Sequence, residues 1–218
     1  MTTLLLGATG RTGSLTLERL LQEGHYVHIV VRDRKKVRSR SGKLTIFEGD
    51  VVNADTLSLA ILNCENVISV LNVSRTSDFP WANLRTSKTF LSDTLSTVLA
   101  VADPTAIKKI VVCSAWGTNE TRKDIPWWFK WLIANSNIGT AYKDHERQEE
   151  ILFNSNLNFI IVRPVGLTNS ERIQTILETI NNNPRPGLLI SRKNTAKFLV
   201  SQLSDNRYNK KSVTISEK

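Results

Sequence analysis

Short apolar runs that alternate with helix-period segments restrict the fold of this chain more than any other feature. The runs are continuous and rich in Val, Ile and Leu, so they predict strands buried on both faces of a sheet. They lie at Thr3–Leu6, Tyr26–Val31, Leu44–Phe47, Val67–Leu71, Ile107–Cys113 and Phe159–Val162. Parallel strands are joined by crossover helices, and the alternation therefore predicts a doubly wound α/β fold with a mostly parallel sheet and helices on both faces.

The segments between these runs carry the signals of helices and of helix ends. Gly24 is placed to end the first helix and Asn53 to cap the second. Helices are predicted at Arg11–Glu23, Ala54–Leu62, Leu84–Ala102 and Tyr142–Asn154, and near Glu171–Ile180 and Thr195–Leu203, with extended segments at Leu188–Ser191 and Ser212–Ile215. Without an internal repeat or a long linker, residues 1–218 are expected to form a single domain with small C-terminal pocket elements.

The formal net charge of +9 is concentrated in one segment. Seven basic residues and one acidic residue lie between Arg32 and Lys43. Such a segment either meets an anionic ligand or forms a solvated basic surface. No aromatic residue interleaves it, so we expect no nucleic-acid partner.

Cysteine content and hydropathy favour a cytoplasmic protein without a membrane span. Two cysteines, Cys64 and Cys113, cannot form a disulfide framework, and they fit a reducing compartment. The N-terminus has no basic segment and no cleavage site typical of a signal peptide. No apolar run approaches the roughly 20 residues that cross a bilayer, and we expect no bound metal.

A glycine-spaced turn follows the first predicted strand. This glycine loop, residues 7–13, reads GATGRTG and opens the helix that begins at Arg11. Glycine permits backbone angles that a Cβ forbids and lets a ligand approach the amides, and the unpaired N–H groups at a helix start attract phosphate. The position predicts a Rossmann-type site for the pyrophosphate of a dinucleotide; the alternative is a tight turn without a ligand.

The residues after the second and third strands bear on which dinucleotide binds. In an NAD site, an acidic side chain after the second strand accepts a hydrogen bond from a ribose hydroxyl. In an NADP site, a cationic side chain there binds the extra phosphate. Arg32 comes first and favours NADP(H) over NAD(H), because a guanidinium pairs with two phosphate oxygens. Asp33 would reverse this preference if its carboxylate pointed into the pocket. After the third strand, Asp50 is placed to accept from the adenine amino group, with Val51 against the ring.

Six motifs together resemble the atypical short-chain dehydrogenases/reductases, and especially the NAD(P)H-binding group that includes NmrA-like proteins and flavin reductase/biliverdin-IXβ reductase. The motifs are GATGRTG, VVRD, EGDVVNADTL, IKKIVVCSAWG, FIIVRPVGLTN and ISRKNTAKFLVSQL. The resemblance implies that pyrophosphate is bound by Gly7, Thr9, Gly10, Arg11, Thr12 and Gly13, the 2′-phosphate by Arg32, and adenine by Asp50 and Val51. It implies further that the nicotinamide end is lined by Leu71, Asn72, Cys113, Ser114, Pro164 and Val165.

The catalytic residues of typical family members are only partly present. Those members use a tyrosine whose pKa is lowered by a lysine four residues later, but Tyr142 is followed at that distance by Glu146. In the biliverdin/flavin reductase group, hydride moves directly to a conjugated acceptor, and a histidine of that group corresponds to Val165 here. Ser114 is a candidate to donate to the acceptor or to cap a turn. His145 is a candidate to relay a proton or to lie exposed on a helix, and Tyr142 suits packing as well as chemistry.

Tryptophans cluster between the fifth strand and the following helix. Trp127, Trp128 and Trp131 have helical spacing and form one aromatic face, and Trp116 precedes them. These four are predicted to line a substrate pocket in which a planar conjugated molecule stacks. The three tryptophans in the helix are also consistent with burial against the sheet, or with a peripheral membrane or partner contact.

These observations predict an NADPH-dependent reductase that transfers hydride to a small conjugated acceptor, such as a flavin, a quinone or a biliverdin-like molecule. The alternative is a non-catalytic NADP(H)-binding redox sensor of NmrA-like type, which the incomplete tyrosine and lysine pair favours. The two hypotheses differ in whether bound NADPH is oxidised.

Overall fold

Strands and helices alternate along the chain, of which the computed structural model describes residues 1–172 and 174–218. The strands are β1 (Thr2–Leu6), β2 (Tyr26–Val31), β3 (Leu44–Glu48), β4 (Asn66–Ser69), β5 (Lys109–Cys113), β6 (Phe159–Pro164), β7 (Gly166–Thr168), β8 (Ile176–Thr179), β9 (Leu189–Ser191) and β10 (Lys211–Glu217). The helices are α1 (Arg11–Gln22), α2 (Ala54–Ile61), α3 (Phe90–Val101), α4 (Trp127–Ala134), α5 (Ile138–Phe153) and α6 (Arg192–Ser201). None of these helices combines the length and the apolar character needed to cross a bilayer.

The main sheet has the strand order β3-β2-β1-β4-β5-β6-β10-β8. Its pairs are parallel except at the edge, where β8 runs antiparallel to β10. A separate parallel pair is formed by β7 and β9. The chain order reverses between β1 and β4, and such a reversal opens a crevice at the carboxyl ends of the strands. The predicted doubly wound, mostly parallel fold is confirmed.

Helices cover both faces of the sheet, so successive residues of one strand are buried in different layers. On β1, Leu5 packs in the layer of α1 and α6, whereas Leu4 and Leu6 pack in the layer of α2, α3 and α5. Side chains of a strand point alternately to the two faces, and a strand covered on both faces therefore needs a continuous apolar run. The six runs found in the sequence are accordingly β1 to β6.

The helix predicted near Glu171–Ile180 is wrong for the described part of that range. Residues Ile176–Thr179 form β8, in which Thr179 lies opposite Thr214 of β10. The outer edge of β10 offers unpaired backbone N–H and C=O groups, and a strand added there satisfies them. Residue 173 lies outside the described residues.

The helix predicted at Leu84–Ala102 is shorter than expected, because α3 begins at Phe90. The residues before it form the 73–88 loop, which doubles back on itself. Within this loop the Arg85 N–H donates to the Ser74 carbonyl at 2.8 Å. The backbone groups are thus satisfied across the loop rather than along a helix.

Candidate active site

A central crevice lies at the carboxyl ends of β1 to β4, where the strand order reverses. Its volume is about 400 Å³. Ten of the fifteen residues predicted to bind the coenzyme line it, namely Gly7, Thr9, Gly10, Arg11, Thr12, Arg32, Asp50, Val51, Leu71 and Asn72. The other five lie outside this lining, namely Gly13, Cys113, Ser114, Pro164 and Val165. The fold thus brings together the glycine loop and the ends of its three neighbouring strands.

The glycine loop is shaped by close backbone contacts. Gly7 has a φ of +86°, and a Cβ on Gly13 would lie 2.0 Å from the Gly7 carbonyl oxygen. Helix α1 begins directly after Gly10, and in the described part of the chain no side chain caps its first turn. The N–H groups of that turn and the positive end of the helix dipole are therefore left for a ligand. The loop fits the pyrophosphate of a dinucleotide.

Two oppositely charged residues follow β2 and have different surroundings. Arg32 lines the central crevice. Asp33 does not, because its carboxylate accepts a hydrogen bond of 2.9 Å from the Lys35 N–H and caps the 3-10 turn Arg34–Lys36. Of these two charged groups, only the Arg32 guanidinium is therefore presented to the crevice.

The 73–88 loop supplies a wall of the central crevice that the sequence analysis did not predict. The crevice-lining residues from this loop include Ser74, Arg75, Ser77, Asp78 and Thr86, and Phe90, Leu167 and Arg192 extend the wall. The position of the loop was an available signal, because loops after the carboxyl ends of parallel strands carry ligand-binding residues. Leu167 and Arg192, from β7 and the start of α6, lie within two of the quoted motifs, but those motifs did not predict a place for them at the crevice.

An ion pair between Arg11 and Asp78 joins the glycine loop to the 73–88 loop. Two guanidinium nitrogens of Arg11 donate to the two carboxylate oxygens of Asp78 at 2.9 and 2.8 Å. These hydrogen bonds hold the pKa of Asp78 below its ordinary value, and the charges of Arg11, Arg192 and Arg75 lower it further. Both side chains are exposed, so solvent screening keeps the contribution of this pair to stability small.

Ser114 belongs to a buried charge network at the carboxyl ends of β5 and β6. Its hydroxyl donates to the Glu149 carboxylate at 2.6 Å. Thr118 and Asn119 donate to the same carboxylate, and Arg163 donates to both of its oxygens at 3.0 and 2.6 Å. Glu149 and Arg163 are both buried, and each neutralises the other. The hydroxyl proton of Ser114 is accordingly held by Glu149.

Tyr142 and His145 are both buried in α5, and neither lines the central crevice. The Tyr142 hydroxyl donates to the Trp116 carbonyl at 3.0 Å, and burial raises the pKa of Tyr142. Burial also lowers the pKa of His145 to about 4, against the opposing charges of Glu149 and Asp144. The exposed position considered for His145 is therefore wrong, and its ring is neutral at pH 7.

The pKa of His145 predicts that acid destabilises this protein. The unfolded chain protonates this residue below about pH 6.5, but the folded chain does not until about pH 4. The free energy of unfolding should therefore fall by about 1.4 kcal/mol per pH unit across this window from His145 alone. Urea unfolding at several pH values should show a shallower acid loss in His145→Asn than in the wild type. Identical pH slopes for the two proteins would contradict the prediction.

Three residues predicted at the nicotinamide end lie in the protein interior. Cys113, Pro164 and Val165 are buried at the ends of β5 and β6. Burial raises the pKa of the Cys113 thiol to about 12, so this side chain stays protonated and packs like a small apolar residue. Val165 is held by its N–H, which donates to the Ile215 carbonyl at 3.1 Å.

The four tryptophans predicted to form a substrate pocket do not line the central crevice. Trp116 is buried, whereas Trp127, Trp128 and Trp131 on α4 are 80%, 52% and 55% exposed. The alternative in which these three bury against the sheet is therefore wrong. Trp131 packs edge-on against Trp81 of the 73–88 loop, with ring centroids 6.4 Å apart. The aromatic face thus adjoins the crevice wall, and its role toward a substrate stays a prediction.

A family model described as NAD(P)H-binding matches residues 7–206 of this chain. Together, the fold, the glycine loop and this match define an NAD(P)H-binding protein with a Rossmann-type fold. The chain belongs to this NAD(P)H-binding family, as the sequence motifs predicted.

Individual relatives agree with this assignment. The oxidoreductase nsrR of Aspergillus novofumigatus is 26% identical over 199 residues, covering 83% of this chain and 72% of that protein. The structure of ChuY, an anaerobillin reductase from Escherichia coli O157:H7, matches with a TM-score of 0.79 and 20% identity, covering 100% of this chain and 97% of that chain. A short-chain dehydrogenase/reductase of Veillonella parvula in complex with NADP matches with a TM-score of 0.75 and 18% identity, covering 99% and 94%. The two structural matches show the shared fold.

Proposed function

We propose that this protein is an NADPH-dependent reductase of a small conjugated acceptor such as a flavin, a quinone or a biliverdin-like tetrapyrrole. The observation that carries the proposal is the central crevice, which is lined by the glycine loop and Arg32 on one side and by Leu71 and Asn72 on the other. When bound, NADPH supplies the hydride with both electrons, and a proton from water completes the reduction of the acceptor. The relative named an oxidoreductase supports the same class of reaction.

The residues of this chain contribute by binding and orientation in this proposal. The glycine loop holds the pyrophosphate, and Asp50 holds the adenine. Ser114, Tyr142 and His145 do not line the central crevice, and in this proposal none of them delivers a proton to the acceptor. The reason is that the first two already donate their hydroxyl protons within the protein, and the third is neutral. Correct positioning of two reactants supplies a large part of a rate enhancement without proton transfer from the enzyme.

The proposal includes a preference for NADP(H) over NAD(H). Arg32 lines the crevice at the end of β2, where the 2′-phosphate of NADP lies in this fold class. The neighbouring Asp33 lies outside the crevice lining, and its carboxylate accepts a hydrogen bond from the Lys35 N–H. The local charge presented to the adenosine ribose is therefore positive.

Replacement of Arg32 tests this preference. Loss of hydrogen bonds to a charged phosphate costs roughly 1.5–3 kcal/mol, so Arg32→Ala should weaken NADPH binding by roughly 10- to 100-fold and leave NADH binding nearly unchanged. Titration of both coenzymes by protein fluorescence measures the two dissociation constants. Arg34→Ala is the matched control, because Arg34 lies outside the crevice lining. Equal losses for NADPH and NADH would contradict the preference.

Single-turnover oxidation of NADPH tests the reductase itself. We expect the absorbance of bound NADPH to decay when riboflavin, a water-soluble quinone or biliverdin is added to the complex. Tight binding of NADPH without oxidation by any of these acceptors would overturn the proposal, and would instead support a coenzyme-binding sensor.

A further inference from the structure

Two arginines in the central crevice are not used by the proposed coenzyme site. Arg75 belongs to the 73–88 loop, and Arg192 is the first residue of α6; both line the crevice. Arg32 follows β2, whereas Arg75 follows β4, and these strands flank β1 on opposite sides. Arg75 therefore lies toward the end at which Leu71 and Asn72 are proposed to hold the nicotinamide.

Both guanidinium groups have hydrogen-bonding capacity left for a ligand. Among the described residues, the buried Nε of Arg75 has no hydrogen-bond partner. Arg192 donates from Nη1 to the Asn169 side-chain oxygen at 2.7 Å, which holds one nitrogen of its guanidinium. Because this Nε is buried, a ligand in the crevice would accept hydrogen bonds from the terminal Nη1 and Nη2 groups of Arg75 and from Nη2 of Arg192.

The surroundings of Asp78 show which kind of chemical group the nearby arginines can bind. Its carboxylate takes two hydrogen bonds from Arg11, and the charges of Arg192 and Arg75 also act on it. The side chain of Asp78 is 78% exposed, so a ligand can displace its carboxylate into solvent without leaving a buried charge unpaired. The Asp78 carboxylate is thus an example, within the protein itself, of a planar anion that these arginines stabilise.

We propose that Arg75 and Arg192 bind a carboxylate or phosphate group of the conjugated acceptor. This inference rests on the proposed function and narrows it to anionic acceptors. In the described part of the chain, the charged residues that line the crevice are four arginines and two aspartates. The coenzyme phosphates are assigned to Arg11 and Arg32, so the other two arginines are left to pair with an anion on the second reactant. The forked guanidinium group forms paired hydrogen bonds with a carboxylate as well as with a phosphate.

FMN and riboflavin test the proposal, because they share one flavin ring and differ by a phosphate group. With NADPH as the donor, we expect kcat/KM of the wild type to be at least about tenfold higher for FMN than for riboflavin. Arg75→Gln and Arg192→Gln should each lower kcat/KM for FMN by about tenfold, and that for riboflavin by less than about twofold. Arg85→Gln, an exposed change on the same loop outside the crevice lining, should alter neither.

Several results would overturn the inference. One is a wild-type protein that shows no preference for FMN. Another is an equal loss of kcat/KM for FMN and for riboflavin in the two arginine variants. A loss of NADPH affinity as large as the loss for FMN would assign the two arginines to the coenzyme. If neither flavin is reduced, a flavin is not the acceptor, and binding of each flavin to the NADP⁺-loaded protein then decides the inference separately from the proposed function. FMN must bind more tightly than riboflavin, and both arginine variants must abolish the difference.

Discussion

Replacing Gly13 with alanine should weaken NADPH binding by roughly 10- to 100-fold, because the new side chain has no room in the glycine loop. Its Cβ would lie 2.0 Å from the Gly7 carbonyl oxygen and 2.7 Å from the Gly7 carbonyl carbon. Both are backbone atoms, so the loop itself must move relative to the first turn of α1. Overpacking of this kind costs about 1–3 kcal/mol, and the movement displaces the amides that are proposed to hold the pyrophosphate.

Gly42→Ala is the matched control for this experiment, because a Cβ at Gly42 would meet no atom within 4 Å. We expect its dissociation constant for NADPH and its unfolding midpoint to equal those of the wild type. Calorimetric titration with NADPH and urea unfolding measure the two quantities. Unchanged binding in Gly13→Ala would show that the coenzyme does not contact this loop as proposed.

Replacing Glu149 with glutamine should destabilise the fold by about 3–5 kcal/mol, because it removes the buried charge that neutralises Arg163. Arg163 is 2% exposed and Glu149 is 0% exposed. Among the described residues, the guanidinium would keep only Glu120 as a charged partner, and that carboxylate is largely exposed. A loss of this size is a large fraction of the 5–15 kcal/mol that is typical for a domain, and urea unfolding measures it.

Two further variants separate the buried charge from the helix that carries it. Glu150→Gln changes the adjacent, exposed glutamate of α5 and should alter the free energy of unfolding by less than about 0.5 kcal/mol. The double variant Glu149→Leu/Arg163→Met removes both charges and should recover much of the loss, because apolar replacement of a buried pair is often neutral. If Glu149→Gln and Glu150→Gln were equally stable, the network would not have the stabilising role inferred here.

The burial of Ser114 shows where prediction of the site from sequence stops. Its position after the buried strand β5 was evident from the apolar run. The run also showed that Ser114 lies at the edge of the sheet formed by the carboxyl ends of the strands. Its hydrogen-bond partner Glu149 is 35 residues away in the chain, on a helix packed over the strands. A charged residue such as Arg163, within the buried strand β6, signals that a counterion exists, but local spacing does not say which carboxylate it is.

The helix prediction for the segment around β8 is wrong for a related reason. Its residues have no strong strand pattern, and they become a strand because the edge of β10 offers them backbone partners. The 73–88 loop is similar, since its backbone pairs with itself and its Trp81 side chain donates to the Asn135 carbonyl at 2.6 Å. In both cases the partner, rather than the local sequence, decides the structure.

The sequence by itself determined the alternation of strands and helices, the glycine loop, and the family to which they belong. These features depend on apolar periodicity and on steric room between residues close together in the chain. Only the tertiary structure decided which polar groups are available to a ligand. It left Asp33 outside the crevice lining, engaged the hydroxyl of Ser114 with Glu149, and placed Arg75 and Arg192 around one cavity. The partner of Ser114 and the walls of the cavity come from segments far apart in sequence.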